Sequence, residues 1–196
     1  KVPVTDILDG ISAAVRYELG PVKVNCVVQR GVNEDQIPKL VRKFRGTGVI
    51  VRFIEFMDVG NTNGWTQGQV VPTSEIIDFL SSEFDLTPLA RQSTSDVATR
   101  WAHSDGSGEI GFISSVSQPF CGDCVRARLS SDGKFFTCLF TTTGHDMSAL
   151  IRSDRGMADL SHSVEEVWSA RKDRYSEVRS SSAISLPRVE MSYIGG

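Results

Sequence analysis

The sequence lacks a long apolar run, a dense set of cysteines and a large excess of charge of either sign. Its 196 residues include four cysteines, which are too few for the disulfide framework typical of small secreted proteins. The net charge of −3 gives no general attraction to nucleic acid. No stretch of about 18 apolar residues predicts a membrane span, and no leader pattern predicts secretion. We therefore expect a cytoplasmic protein without nucleic-acid or membrane partners.

Apolar spacing in the first part of the chain alternates between the helical and the strand period. The predicted order is helix, strand, helix, strand, over residues 5–19, 22–28, 33–44 and 49–56. Asn33 and Gln36 are expected to cap the second helix. Because a strand–helix–strand order implies parallel strands, we predict an α/β layer.

The later part of the chain changes from alternating elements to β-hairpins. A helix, the two arms of a hairpin and two more helices are predicted over residues 72–84, 97–103, 109–115, 147–152 and 164–174. His103 is expected on the surface of its strand. In the last helix, Trp168 and Arg171 lie on a stripe that predicts core packing. The whole pattern predicts an α/β fold with a change of domain near residue 85.

The first predicted strand has polar residues on one face. Lys23 and Asn25 alternate with Val24 and Cys26. Since a buried parallel strand is usually apolar on both faces, the polar face is expected to line a cavity such as a barrel interior or to lie on an exposed edge. Arg52 interrupts the next apolar strand, where an unpaired charge is costly, and this predicts contact with an anionic substrate or an acidic partner.

Three cysteines are concentrated in one predicted hairpin. Residues 125–129 alternate apolar and polar side chains like a half-buried strand. Cys124 and Cys138 are therefore expected on the two arms of the hairpin, with Cys121 three residues before Cys124. Thiolate ligands favour zinc or an iron–sulfur cluster. A structural zinc needs a fourth ligand, for which His145 is available, whereas a three-cysteine 4Fe–4S cluster keeps one iron open. A redox pair and unligated thiols are the remaining interpretations.

The length of the hairpin turn decides whether the cysteines share a face with nearby cations. A two-residue turn pairs Cys138 with Ala127, and a three-residue turn with Gly133 left-handed pairs it with Arg126. We predict the three-residue turn, because it places Cys124 and Cys138 on the same face as Arg126 and Arg128. Two cations beside an open metal position suit a ligand that carries phosphates.

Several segments together resemble one enzyme family. They are residues 22–28 with 30–35, residues 51–58, the cysteine segment 121–138 and the terminal residues 191–196. In order and content they are similar to the GTP 3′,8-cyclase (MoaA) family of molybdenum-cofactor biosynthesis, from about residue 20 to the end of the chain. The Cys-x-x-Cys spacing alone is weak evidence, but the combination is specific.

The resemblance implies a radical S-adenosylmethionine enzyme. In that family a 4Fe–4S cluster on an N-terminal Cys-x3-Cys-x2-Cys motif cleaves S-adenosylmethionine. The radical takes a hydrogen from ribose C3′ of GTP, which then closes onto C8 to give 3′,8-cyclo-7,8-dihydro-GTP. A second, C-terminal 4Fe–4S cluster binds the purine of GTP. The implied partners are GTP, S-adenosylmethionine, cyclic pyranopterin monophosphate synthase as the next pathway enzyme, and a second copy in a homodimer.

The resemblance also implies domains and residue roles. Residues 1–84 correspond to the end of an incomplete TIM-like radical enzyme barrel, and residues 85–196 to the cluster and GTP domain. The implied ligands of the C-terminal cluster are Cys121, Cys124 and Cys138. The implied contacts to GTP are Lys23, Arg126, Ala127 and Arg128. Arg52 is implied to assist the chemistry, Met57 to contact S-adenosylmethionine, and a double-glycine tail, Gly195 and Gly196, to support catalysis.

The chain departs from this family in one large respect. It contains no Cys-x3-Cys-x2-Cys motif, it begins with Lys1, and its fourth cysteine, Cys26, lies in an apolar strand. We therefore expect a fragment that cannot generate the radical by itself.

Overall fold

The computed structural model describes residues 2–153, 156–179 and 189–194. The α-helices within these ranges are α1 (Val4–Arg16), α2 (Ile37–Phe44), α3 (Thr73–Ser81), α4 (Ser148–Ile151), α5 (Gly156–Ser169) and α6 (Tyr175–Val178). The β-strands are β1 (Lys23–Val28), β2 (Ile50–Glu55), β3 (Leu86–Leu89), β4 (Thr99–His103), β5 (Glu109–Ile113), β6 (Arg128–Leu129), β7 (Lys134–Phe136) and β8 (His145–Asp146). Among these residues, no helix has the length and apolar character needed to cross a membrane.

The chain divides into two compact units. The first contains the residues up to Met57 and from Thr66 to Pro119, and the second contains Asp58–Trp65 and the residues from Phe120 onward. The predicted change of domain near residue 85 falls inside the first unit, because the hairpin of β4 and β5 joins the same sheet as β1 and β2. The assignment of function to residues 1–84 and 85–196 stays a prediction.

A five-stranded mixed sheet forms the first unit, with the order β1-β2-β5-β4-β3. β1, β2 and β5 are parallel, and β4 and β3 complete the sheet in antiparallel pairs. The α/β class and the parallel pairing of the first two strands are confirmed. In this register Asn25 of β1 lies opposite Arg52 of β2, and Arg52 lies opposite Gly111 of β5.

The core of this unit lies on one face of the sheet. Alternate residues of β2 are buried, as a period of two requires, and the Phe53 ring stacks on that of Phe112 with centroids 6.1 Å apart. Each of the helices α2 and α3 buries residues spaced three or four apart, which lie on one face of that helix. They are Ile37, Val41 and Phe44 of α2 and Ile76 and Leu80 of α3. Burying each of these large side chains stabilises the fold by about 1.5–3 kcal/mol.

Two local expectations in this unit are wrong. Asn33 does not cap a helix with its side chain; its amide instead accepts the N–H of Gln29 and donates to the carbonyl oxygen of Val27, both at 2.9 Å. His103 is buried rather than exposed, since its ring packs against Phe84 with centroids 5.7 Å apart. Both side chains serve tertiary contacts that local sequence does not reveal.

Glu55 is a fully buried carboxylate at the end of β2. One oxygen accepts the N–H of Thr73 at 2.7 Å and the hydroxyl of Ser117 at 2.5 Å. The other accepts the N–H groups of Val116 and Ser117, at 2.8 and 2.7 Å. Four donors compensate for the loss of water around the charge, and they tie β2 to the start of α3 and to the segment after β5.

The second unit contains a three-stranded antiparallel sheet of order β6-β7-β8 and the helices α4, α5 and α6. Its buried apolar residues are Phe136, Phe140, Met147 and Ile194. The last predicted helix is displaced: α5 begins at Gly156 and ends at Ser169, so Arg171 lies beyond its end rather than on a helical core stripe.

Replacing Glu55 by Gln should destabilise the protein by about 3 kcal/mol, because the amide cannot accept hydrogen bonds from all four donors. Urea unfolding followed by circular dichroism measures the change. The matched control is Glu75→Gln, since Glu75 is half exposed and pairs with Arg30 at 2.7 Å on the surface; it should cost less than about 1 kcal/mol. Equal, small losses for both variants would contradict the role assigned to Glu55.

Candidate functional site

The first two cysteines lie on a tight turn. The N–H of Cys124 donates to the carbonyl oxygen of Cys121 at 3.3 Å, and the N–H of Gly122 donates to a carboxylate oxygen of Glu177 at 3.3 Å. Both thiols are free and half-buried, and so is that of Cys138. The turn therefore holds two soft sulfur donors close to the protein surface.

The hairpin that follows has the predicted register. Arg128 lies opposite Phe136 and Leu129 lies opposite Phe135, which is the register of a three-residue turn, and Arg126 and Cys138 lie beyond the paired residues. Gly133 has φ +89°, a left-handed conformation that glycine adopts without strain, and its N–H donates to the carbonyl oxygen of Ser130 at 3.0 Å. The three-residue turn is confirmed.

The first arm of the hairpin is shorter and more exposed than predicted. Only Arg128 and Leu129 pair as a strand, and Val125 and Leu129 are 64% and 56% exposed. The expected half-buried alternation is wrong, because the apolar side chains of this arm have no covering element in the described part of the chain. Val125 and Ala127 thus lie in extended but unpaired chain.

Local charges and burial act differently on the thiols. Burial opposes ionisation of Cys124, but N–H donors from the backbone and side chain of Arg126, together with the charges of Arg126 and Arg171, hold its pKa below the usual value. One guanidinium nitrogen of Arg126 lies 3.6 Å from the sulfur of Cys124. Burial raises the pKa of Cys138, and the nearby Asp173, Cys121 and Cys124 raise it further.

The three cysteines are potential metal donors, but in the described part of the chain they are not gathered around a common metal position. No group of three His, Cys, Asp or Glu side chains among the described residues is arranged to hold a metal ion. His145, the fourth ligand in the zinc interpretation, lies in β8 opposite Phe135 and is not gathered with the thiols into such a group. The donor chemistry nevertheless fits a thiolate-ligated cluster, since all three thiols are free and that of Cys124 accepts a hydrogen bond from Arg126.

Two arginines flank the exposed Ala127 on the first arm. The guanidinium of Arg126 lies 4.9 Å from the ring centroid of Phe120, in a cation–π contact. Arg128 is half-buried, and burial and the charge of Arg126 lower its pKa. Neither arginine forms an ion pair with a carboxylate in the part of the chain that the structure describes. Two uncompensated cations on one hairpin arm are suited to a bound anion.

Lys23 and Arg52 lie on the polar face of the sheet in the first unit. They line an open cavity of about 450 Å³, whose other lining residues include Ser95, Asp96, Arg100 and Glu109. Arg100 and Glu109 neutralise each other through a fork of hydrogen bonds at 2.8–3.0 Å. β1 is an edge strand of the sheet, and Lys23 and Asn25 are exposed, as the edge-strand alternative predicts; Lys23 also borders this open cavity.

Arg52 is held against the sheet by neutral groups. Its Nε donates to the side-chain oxygen of Asn25 at 2.8 Å. A Cβ atom at Gly111 would come within 2.9 Å of the Arg52 side chain, so the glycine makes room for it. The predicted acidic partner is not observed among the described residues, because Glu55 lies on the other face of β2.

The predicted site residues are distributed over both units. Lys23, Arg52 and Met57 belong to the first, with Met57 two residues beyond the end of β2, and the cysteines with Arg126, Ala127 and Arg128 belong to the second. Gly195 and Gly196 lie outside the described residues.

Sequence reasoning missed a segment that contacts the cysteine hairpin, residues 171–177. Arg171 donates to the carbonyl oxygen of Cys121 at 3.5 Å, and Asp173 accepts the hydroxyl of Thr137 at 2.6 Å. Neither contact could be found from sequence spacing, because the partners are 50 and 36 residues apart.

Comparison with known proteins identifies the family. A family model described as Molybdenum Cofactor Synthesis C matches residues 49–177. A GTP 3′,8-cyclase of Xanthomonas campestris pv. campestris (strain B100) is 50% identical over 194 residues, which cover 98% of this chain and 56% of that protein. A GTP 3′,8-cyclase of Acidothermus cellulolyticus is 42% identical over 220 residues, covering 100% of this chain and 61% of that protein.

The chain therefore spans little more than half the length of the curated relatives that it matches. The resemblance found in the sequence is confirmed over nearly the whole chain, and the matched model includes the cysteine hairpin and both arginines. The chain belongs to the Molybdenum Cofactor Synthesis C family.

Proposed function

We propose that this chain is the C-terminal part of a cytoplasmic GTP 3′,8-cyclase and that its cysteine hairpin binds a 4Fe–4S cluster and GTP. The observation that carries the proposal is the contact between the Arg126 guanidinium and the sulfur of Cys124, on a hairpin with three free thiols. It joins soft metal ligands and a phosphate-binding cation in one local structure. The names of the relatives support the substrate.

The proposed cluster ligands are Cys121, Cys124 and Cys138. A 4Fe–4S cluster bound by these three thiolates supplies one iron with a free coordination position for the purine of GTP. The turn between Cys121 and Cys124 supports the proposal for two of the thiols, and the three-residue register of the hairpin supports it for the third.

Arg126 and Arg128 are the proposed ligands of the GTP phosphates. A guanidinium offers a planar fork of donors that matches phosphate oxygens. Neither arginine forms an ion pair with a carboxylate of the described residues, so these donors are available to a phosphate. Ala127 lies exposed between them and has no polar side-chain atom, so its contribution to GTP binding comes from its backbone.

In the first unit, we propose that Lys23 contacts GTP and that Arg52 assists the chemistry at the reacting substrate. Met57 is proposed to contact S-adenosylmethionine. The charge of Lys23 and Arg52 and the volume of the cavity that they line support an anionic ligand there. We further propose that this sheet is part of an incomplete TIM-like barrel in the complete enzyme. The terminal Gly195 and Gly196 are proposed to support catalysis, since a chain without side chains can approach a reacting centre closely.

Anaerobic reconstitution with ferrous iron and sulfide should yield a brown protein with about four iron ions per chain and little zinc. Changing Cys124 to Ser should abolish this content, because the hairpin then lacks a thiolate. Cys26→Ser is the matched control, since Cys26 lies in β1 outside the hairpin, and it should retain the iron. Stoichiometric zinc without iron would contradict the proposal and support the zinc interpretation, in which the three cysteines and His145 stabilise an interaction module.

Arg126→Met should weaken GTP binding by about tenfold to a hundredfold while the iron content stays unchanged, because a charge-assisted hydrogen bond is lost. Arg126→Lys should restore only part of the affinity, since lysine lacks the bidentate fork. Isothermal titration of the reconstituted protein with GTP measures both. Arg152→Met removes an equal charge from an exposed position and should leave the affinity unchanged. Loss of iron with unchanged GTP affinity would mean that Arg126 is structural.

The 196-residue chain alone should produce no 5′-deoxyadenosine from S-adenosylmethionine and a strong reductant. Its cysteines outside the hairpin are limited to Cys26, so it has no second set of three thiolates. Chromatography of the reaction after anaerobic incubation gives the answer, with the complete cyclase of Xanthomonas campestris as a positive control. Measurable product from this chain would refute the expectation.

A further inference from the structure

The segment after α5 is fixed to the cysteine hairpin by contacts of different kinds. The hydroxyl of Thr137, next to Cys138, donates to Asp173 at 2.6 Å. The ring of Tyr175 stacks on that of Phe140, with centroids 4.5 Å apart and planes 22° from parallel. Glu177 accepts the N–H of Gly122. A hydrogen bond, a ring stack and a contact to the turn together hold this segment in place.

Arg171, in this segment, contacts a predicted cluster ligand. Its Nη2 lies 3.5 Å from the carbonyl oxygen of Cys121, and its guanidinium lies 4.3 Å from the ring centroid of Trp168. The tryptophan face fixes the plane of the guanidinium, so that its donors have set directions.

The other terminal nitrogen of Arg171 has no acceptor. Its Nη1 is buried and makes no hydrogen bond with any described residue. The nearby carboxylates are used elsewhere, since Asp173 accepts from Thr137 and Glu166 lies 3.3 Å from His162. A buried cationic donor without an acceptor is costly, so such a group indicates an acceptor that the protein itself does not supply. Because Nη1 and Nη2 belong to one planar fork, that acceptor lies beside the Cys121 turn.

We propose that Arg171 is a positioning residue for the cluster: it fixes the turn of Cys121 through Nη2 and donates through Nη1 to a sulfur of the bound group. This inference rests on the proposed function, since it requires a sulfur-rich group at the cysteines. A donor to a cluster sulfur stabilises the more negative, reduced state and raises the reduction potential.

The test compares Arg171→Met with Lys172→Met in the full 196-residue chain. Methionine keeps an unbranched side chain that can pack on Trp168 but removes the charge and the donors. Lys172 is adjacent and exposed, so its variant removes an equal charge without a contact to the turn. A redox titration of the reconstituted proteins should show a lower potential for the Arg171 variant alone. Arg171→Lys, which keeps the charge without the fork, should give an intermediate potential.

A second measurement needs no cluster. Hydrogen exchange of the metal-free chain, followed by mass spectrometry, should be faster at residues 121–125 in the Arg171 variant and unchanged in the Lys172 variant. If both variants retain the wild-type potential and exchange, the positioning role is refuted. If the wild-type chain takes up no iron and sulfide, the proposed function fails. In that case the hydrogen-exchange data alone test whether Arg171 fixes the turn.

Discussion

The geometry of the cysteine hairpin depends on its three-residue turn. Gly133 adopts φ +89° there, and a Cβ atom at this position would come within 3.1 Å of Ser148. Ser130 closes the turn, since its N–H donates to the carbonyl oxygen of Lys134 at 2.9 Å. A turn shorter by one residue would send Cys138 to the face opposite Arg126. The register that relates the cysteines to the arginines of this hairpin thus depends on the left-handed conformation of Gly133.

Sequence periodicity predicted the parts of the fold that depend on burial. The helices and the parallel strands of the first unit were predictable because an apolar stripe of period 3.6 or 2 has few alternatives in a compact layer. Asn33 and His103 were not, because their partners come from tertiary contact. The prediction of a half-buried first arm was wrong for a different reason: Val125 and Leu129 have the alternation of a half-buried strand but are largely exposed.

The candidate site was predictable only where its residues are close in sequence. Turn chemistry and Cys-x-x-Cys spacing are local signals, so the cysteines and Arg126 could be placed on one hairpin in advance. Arg171 could not, because its contact to Cys121 spans 50 residues. Its position in the apolar pattern of residues 164–174 predicted a core helix, whereas α5 ends at Ser169 and leaves Arg171 in an irregular segment.

Charge compensation distinguishes the cations of the two units from ordinary surface arginines. Surface cations such as Arg30 and Arg42 form short ion pairs with carboxylates, as a protein with net charge −3 readily allows. Arg52 instead donates to a neutral amide, and Arg128 is half-buried beside another cation. Partial burial without a carboxylate weakens the folded state, since each charge loses water without gaining an opposite charge. An anion bound next to either cation would remove that penalty, because ligand binding to the folded state stabilises it.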